Sequence, residues 1–197
     1  MAEACSPNTI TSKLREAFKD AWKDQLNKSS KLSFYNSVKG EFGWEPYLDS
    51  DIISDFNERR STAQIRCSSH KLKIETGRYS NTPQQERYCD FCHSTASNST
   101  AIESEEHVFT HCPLGSDIRN HFKERVVSVA QELPGSSRDQ ALCLTFAGTF
   151  PSFLEEVTVK AGLQSSDIQK HFVRISCRHL HKIYRQTLQY KKDLQES

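Results

Sequence analysis

"ERYCDFCHSTASNSTAIESEEHVFTHCP", residues 86–113, carries three of the chain's seven cysteines and three of its eight histidines. The stretch is rich in Ser and Asn and poor in large apolar side chains, so it has little with which to build a core of its own. Within it Cys89, Cys92, His107 and Cys112 follow the spacing C-x2-C-x14-H-x4-C. The turn of a C-x2-C pair points both sulfurs the same way, and four N/S ligands suit tetrahedral zinc with no position left for a substrate. The reading is therefore a structural Zn2+ whose binding free energy holds together a segment too polar to fold alone. A second set replaces Cys112 by His111, because His107 and His111 lie four apart on a predicted helix and complete a two-Cys-two-His pattern. That spacer lacks the aromatic and Leu core of an independent finger, and the set leaves the softer ligand Cys112 idle beside the metal. Cys112 is the preferred fourth ligand and His111 the alternative. His93 reads as a surface residue, and Cys5, Cys67, Cys143 and Cys177 have no partner at ligand spacing.

The segments around this stretch are helical in pattern. Residues 11–28, "TSKLREAFKDAWKDQLNK", place Leu14, Phe18, Ala21, Trp22 and Leu26 at spacings of three and four, which predicts an amphipathic helix. After "FGWEPYLDS", Asp49 or Ser50 is a candidate cap for a second helix carrying Ile52, Ile53, Phe56 and Ala63. That helix is expected to run on toward "IRCSSHKLKIE" and to stop at Gly77. Helix resumes through "EEHVFTHC" until Pro113, and again over 116–132 with Ile118, Phe122, Val126 and Val129. "LPGSSRD" breaks the chain. "QALCLTFAG" and "FLEEVTVKAG" read as short, largely buried helices, with a strand the alternative for the β-branched second, and "SSD" caps a last helix with Ile168, Phe172, Ile175 and Ile183 on one face and Leu180 at its margin. Few Gly and Pro, seven and six, argue against a turn-rich β-sandwich. The expected fold is mainly α, a helical domain with an inserted zinc-knuckle hairpin. Its expected divisions are a flexible N-terminus at 1–10, N-terminal helices at 11–77, the knuckle at 78–115 and a C-terminal helical part at 116–192.

The formal net charge is only +1, but it is unevenly placed. Residues 41–56 carry five acids and no base, and 97–117 carry four acids and no Lys or Arg. The last helix holds seven bases and no acid over 168–192. In it Lys170, Arg174, Arg178 and Lys182 recur at i+4, with Arg185 beside them, a cationic stripe where a solvated helix usually mixes signs. The start, "MAEACSPNTITSKLREAF", has no apolar leader, and no stretch approaches a membrane span. The expectation is an intracellular protein of the nucleus or cytoplasm, not secreted, with no membrane partner; in that reducing setting clustered Cys and His hold metal.

The block "IRCSSHKLKIETGRYSNTPQQERYCDFC…IESEEHVFTHCPL" resembles the zinc-binding C-terminal segment of reverse transcriptases from animal non-LTR retrotransposons. The matching residues are Arg66, His70, Leu72, Ile74, Glu75, Gly77, Arg78 and Tyr79, then the four ligands and Pro113. The flanks, "SSKLSFYNSVKGEFGWEPYL" and the basic terminal helix, extend the likeness over about residues 20–190. The resemblance implies a region that grips RNA or DNA beside a polymerase. The chain departs from the family in lacking the paired aspartates of a polymerase palm and any endonuclease.

Two functional classes follow. The first is a non-catalytic nucleic-acid-binding module for RNA or single-stranded DNA. Arg66, Lys71, Lys73, Arg78 and Arg87 near the knuckle, with Lys170, Arg174, Arg178, Lys182 and Arg185, would meet phosphates. Tyr79 and Tyr88 would stack on bases, and Phe91 is assigned to packing around the zinc turn. The second is a zinc-stapled protein-interaction scaffold, with a polymerase or another protein as partner. An enzyme is not expected. The pairs Asp117/His121 and His107/His111 come with no carboxylate–lysine constellation, and no phosphate-binding glycine loop for a small-molecule substrate is present. His179 and His181 are assigned to the surface of the last helix.

Overall fold

The computed structural model describes residues 7–39, 42–43, 45–95, 99–131 and 166–196. The chain divides into two units, Met1–Trp44 and Glu45–Ser197, so the division falls inside the stretch 11–77 that the sequence treats as one group. Two expected short helices, "QALCLTFAG" and "FLEEVTVKAG", lie outside the described residues, as does the "LPGSSRD" break. Among the described residues the secondary structure is helical throughout, apart from one isolated antiparallel bridge between Tyr88 and Ile102. The mainly α expectation holds.

The first unit contains α1 (Pro7–Lys28) and α2 (Ser33–Val38), joined by a 3-10 turn at Ser30–Leu32. Ser29 caps that turn by accepting the Leu32 N–H. The C-terminal half of α1 packs as expected: Leu26 is buried and Trp22 meets Phe42 edge to face at 5.6 Å. Its N-terminal half does not, because Leu14 and Phe18 face solvent.

The second unit is built on one long helix. In chain order it holds α3 (Phe56–Arg66), α4 (Lys73–Tyr79), α5 (Asp90–Thr95), a π-helical turn at His107–His111, α6 (Ser116–Ala130) and α7 (Ser166–Glu196). α7 packs on α3 along one side and α6 along another. It buries Phe172, Val173, Cys177, Leu180, Ile183 and Tyr184, a stripe at spacings of three and four. Leu180 is thus a core residue rather than a marginal one. Against it stand Tyr47, Ile52 and Ile53 with Val173 and Cys177, and on the other side buried Phe122, Val126 and Val129.

The predicted helix over "DIISDFNERR…" begins later than expected. Asp55 caps α3, accepting the N–H groups of Asn57 and Glu58, while Ile52 and Ile53 lie in the preceding turn. Capping by Asp55 leaves Phe56 at the first helical position, 62% exposed, with the Arg59 guanidinium 5.9 Å from its ring. α3 and α4 are separate, divided where Ser68 takes a left-handed φ of 47°. Gly77 does not stop a helix. It lies inside α4, and the turn is made beyond it, where Asn81 has φ 55°. Asparagine tolerates that region because its short polar side chain bonds locally.

Candidate metal centre

An isolated antiparallel bridge pairs Tyr88 with Ile102, with the Cys89 N–H donating to the Ala101 carbonyl at 2.8 Å and the Glu103 N–H to that of Arg87 at 2.8 Å. Cys89 follows the bridge, and α5 carries Cys92 three residues on. The π-helical turn supplies His107, and the Cys112 N–H donates back to the His107 carbonyl at 2.7 Å. That widened turn brings His107 and Cys112 to the same side. Phe91, Ala101 and Leu114 wall the cysteines with apolar surface.

The ligand atoms of Cys89, Cys92, His107 and Cys112 all lie within 4.8 Å of one another. The Cys112 sulfur is 3.7 Å from that of Cys89 and 3.8 Å from that of Cys92, and the Cys92 sulfur is 3.4 Å from His107 Nε2. A tetrahedral ion with bonds of about 2.3 Å to sulfur and 2.0 to 2.1 Å to nitrogen spaces its ligands by about 3.8 Å (S to S) and about 3.5 Å (S to N). The separations match that geometry and are far too long for disulfides, which need about 2.05 Å. The cysteines are free. Three thiols this close cannot all ionise on their own. A hydrogen bond shared with Cys112, then burial, push the Cys89 thiol up to about 12, and the same bond holds Cys112 below the usual thiol range. Burial raises Cys92. A divalent cation would remove that repulsion. His111 stands apart: it is exposed, and its Nδ1 lies 2.6 Å from Thr110 Oγ1.

Two acids, Glu103 and Glu105, tie the segment that leads to His107 to the helices. Glu103 is 1% exposed and accepts the Lys73 N–H at 2.9 Å and the Lys191 ammonium from α7. Glu105 pairs with buried His70 at 2.8 Å. Since the Leu72 N–H donates to His70 Nδ1 at 3.3 Å, Nε2 carries the proton and donates to Glu105. Burial alone would raise the Glu105 carboxyl. The hydrogen bonds from His70, its own backbone and Ser68 outweigh burial and hold it below the usual range. Near the end of α7, Tyr190 meets Phe91 edge to face at 5.3 Å, and its hydroxyl lies 2.7 Å from Ser94 Oγ. In the sequence these acids show as the E-x-E-x-H lead-in to His107, a spacing that belongs to the resemblance and says nothing of their buried partners.

Most of the basic residues proposed for nucleic acid are occupied inside the molecule. Arg66 is buried, pairing with Glu45 at 3.4 Å and lying over the Tyr47 ring. Lys73 pairs with Asp90. Arg87 donates to the carbonyls of Ile74 at 2.6 Å and Thr82 at 2.8 and 2.9 Å. Arg174 donates to the carbonyls of Ile52 at 2.5 Å and Asp51 at 3.0 Å. Arg78 pairs with buried Glu75 at 3.0 Å, and Tyr88 stacks on His93. Lys170 is half-buried. The charge segregation along the chain is thus in part internal complementarity, with acids and carbonyls of 45–58 meeting bases of α7.

Lys71, Lys182 and Arg185 are exposed, Arg178 stays 60% exposed while pairing with Glu58, and Tyr79 is 77% exposed. The two histidines assigned to the surface of α7 are not free of the fold. His179 is 4% exposed and stacks on Phe122 at 4.3 Å, and His181 Nδ1 meets Ser61 Oγ at 2.9 Å. No protein-family model matches the chain, and no curated protein and no solved structure matches it significantly. Among the described residues, no helix is long and apolar enough to cross a membrane.

Proposed function

We propose that this chain is a non-catalytic, zinc-dependent nucleic-acid-binding module for RNA or single-stranded DNA. Cys89, Cys92, His107 and Cys112 would hold a structural Zn2+. The ion would supply charge compensation for the thiolates and a fixed end for the hairpin, with every coordination position taken by protein. The observation that carries this is the set of sulfur and nitrogen separations near 3.4 to 3.8 Å, which no disulfide and no ordinary packing of thiols requires.

Binding would fall to the seam of α3 and α7 rather than to the knuckle itself. Arg178, Lys182 and Arg185 follow at i, i+4 and i+7 on α7. His181 reaches Ser61 of α3, and the Tyr184 hydroxyl accepts the Lys71 N–H at 3.0 Å. Burial raises the Tyr184 phenol, against the Lys71 N–H and the charge of exposed Arg60 nearby, a base the sequence does not mark. Arg60 of α3, Lys71 and the α7 bases Arg178 and Arg185 would line this seam, with Arg178 pairing with buried Glu58. Such a row suits a phosphate backbone without reading bases.

Fluorescence anisotropy with labelled single-stranded RNA and DNA tests this. Log affinity should fall linearly with log salt, and each of Lys71→Glu, Lys182→Glu and Arg185→Glu should flatten that slope by about one. Absence of binding at about 50 mM salt would leave the second reading, a zinc-stapled interaction scaffold. That reading is favoured by the internal pairing of Arg66, Lys73, Arg87 and Arg174.

A further inference from the structure

Ile10, Leu14 and Phe18 stand at successive i+4 positions of α1 and are 48%, 55% and 66% exposed. Ala17 and Ala21, also exposed, fall in the same arc of the helix, about 100° wide at 3.6 residues per turn. The stripe runs without a polar break for about 18 Å, from Ile10 to Ala21. Trp22 and Leu26, which do pack, lie on the adjacent arc. A contiguous exposed apolar face rimmed by charge marks an interaction surface.

We infer that this face of α1 pairs antiparallel with the same face of a second copy of the chain, forming a symmetric dimer. Two complementarities single out that occupant. The first is size. Crossing the helices at the midpoint between Ala17 and Phe18 sets Leu14 opposite the partner's Ala21, large against small, and brings Phe18, on the edge away from Lys13, against the partner's Phe18. The second is charge. Lys13, Asp20 and Asp24 share one flank of the stripe, and the same crossing sets Lys13 between the partner's Asp20 and the partner's Asp24, twice by symmetry. Asp24 also accepts from Lys28 of its own helix at 2.7 Å, so Asp20 is the principal partner. A parallel pair would instead set Leu14 against its own copy and carry Lys13 to the side of the interface away from the partner's Asp20 and the partner's Asp24. An anionic membrane surface would take the apolar stripe but repel the two aspartates beside it. This inference is independent of the metal and of nucleic acid.

Sedimentation equilibrium of the full chain, over about a hundredfold range of concentration, provides the test. A monomer–dimer equilibrium is expected, and Leu14→Glu/Phe18→Glu should weaken it by roughly 100-fold or more. Lys23→Glu, on the opposite face, should leave it unchanged. Lys13→Glu should weaken it, and Lys13→Glu/Asp20→Lys should restore it. All these positions are exposed, so the variants should keep the helical circular dichroism of the parent. A chain that stays monomeric throughout, whether or not it binds lipid vesicles, would overturn the inference. So would a dimer that survives Leu14→Glu/Phe18→Glu, or one that the Lys13/Asp20 exchange fails to restore.

Discussion

Arg87 lies across α4 with its guanidinium on the Ile74 and Thr82 carbonyls, and it can do so only because residue 77 has no side chain. A Cβ at Gly77 would stand 2.6 Å from the Arg87 Nε and 2.7 Å from its Cδ. Alanine in place of a helical glycine ordinarily stabilises by up to about 1 kcal/mol. Here Gly77→Ala should reverse that sign and destabilise by about 1 to 3 kcal/mol, because the anchored arginine must leave its carbonyls. Urea unfolding of the two proteins measures it, and a stabilised variant would refute the notch. At this scale the sequence was legible where chemistry is narrow and opaque where it is shared. Four soft ligands at regular spacing could be read directly. Gly77 could not, since "GRY" after an amphipathic run is equally the end of a helix, and the arginine that needs the space is ten residues further on.

The pairing of α6 with α7 depends on a buried base. Burial, helped by the nearby Arg119 charge, drives the His179 imidazole down to about 3, although a hydrogen bond to the Ile118 backbone pulls the other way. The sign follows from linkage. The unfolded chain takes up this proton below about 6.5 and the folded one only near its lowered value, so stability is lost as pH falls through that interval. At about pH 5 the loss from this group alone is about 2 kcal/mol. His179→Gln should remove that part of the acid sensitivity. Denaturation of the two proteins at several pH values checks it, and parallel stability–pH curves would contradict it. The histidine was read as surface because its neighbours in sequence are Arg178, His181 and Lys182. On a helix packed along two sides, α3 and α6 claim different arcs, and a single apolar face understates the core. That is also why Leu180 was placed at the margin. The 11-residue α3 was obscured differently: Asp49, Ser50 and Asp55 are all competent caps, and only packing of Ile52 and Ile53 beneath α7 decides for Asp55.

Across the second unit, the polar stretch around the Tyr88–Ile102 bridge is held at several points. Glu103 ties it to Lys191 of α7 and to the start of α4, Glu105 ties it to His70, and the cysteine cluster closes the far side. The mainly helical class was legible because periodicity and caps are local signals. The use of the basic helix was less so, since sequence shows charge but not whether Asp51, Glu58 or a phosphate will meet it. The proposed Zn2+ is the joint on which that stretch would depend. Metal analysis of the purified chain beside Cys112→Ser and His111→Ala is the most direct measurement. The expected result is about one zinc per chain in the parent and in His111→Ala, and none in Cys112→Ser, by the tetrahedral ligand count. A folded parent without metal, or loss of the ion on replacing His111 rather than Cys112, would contradict it.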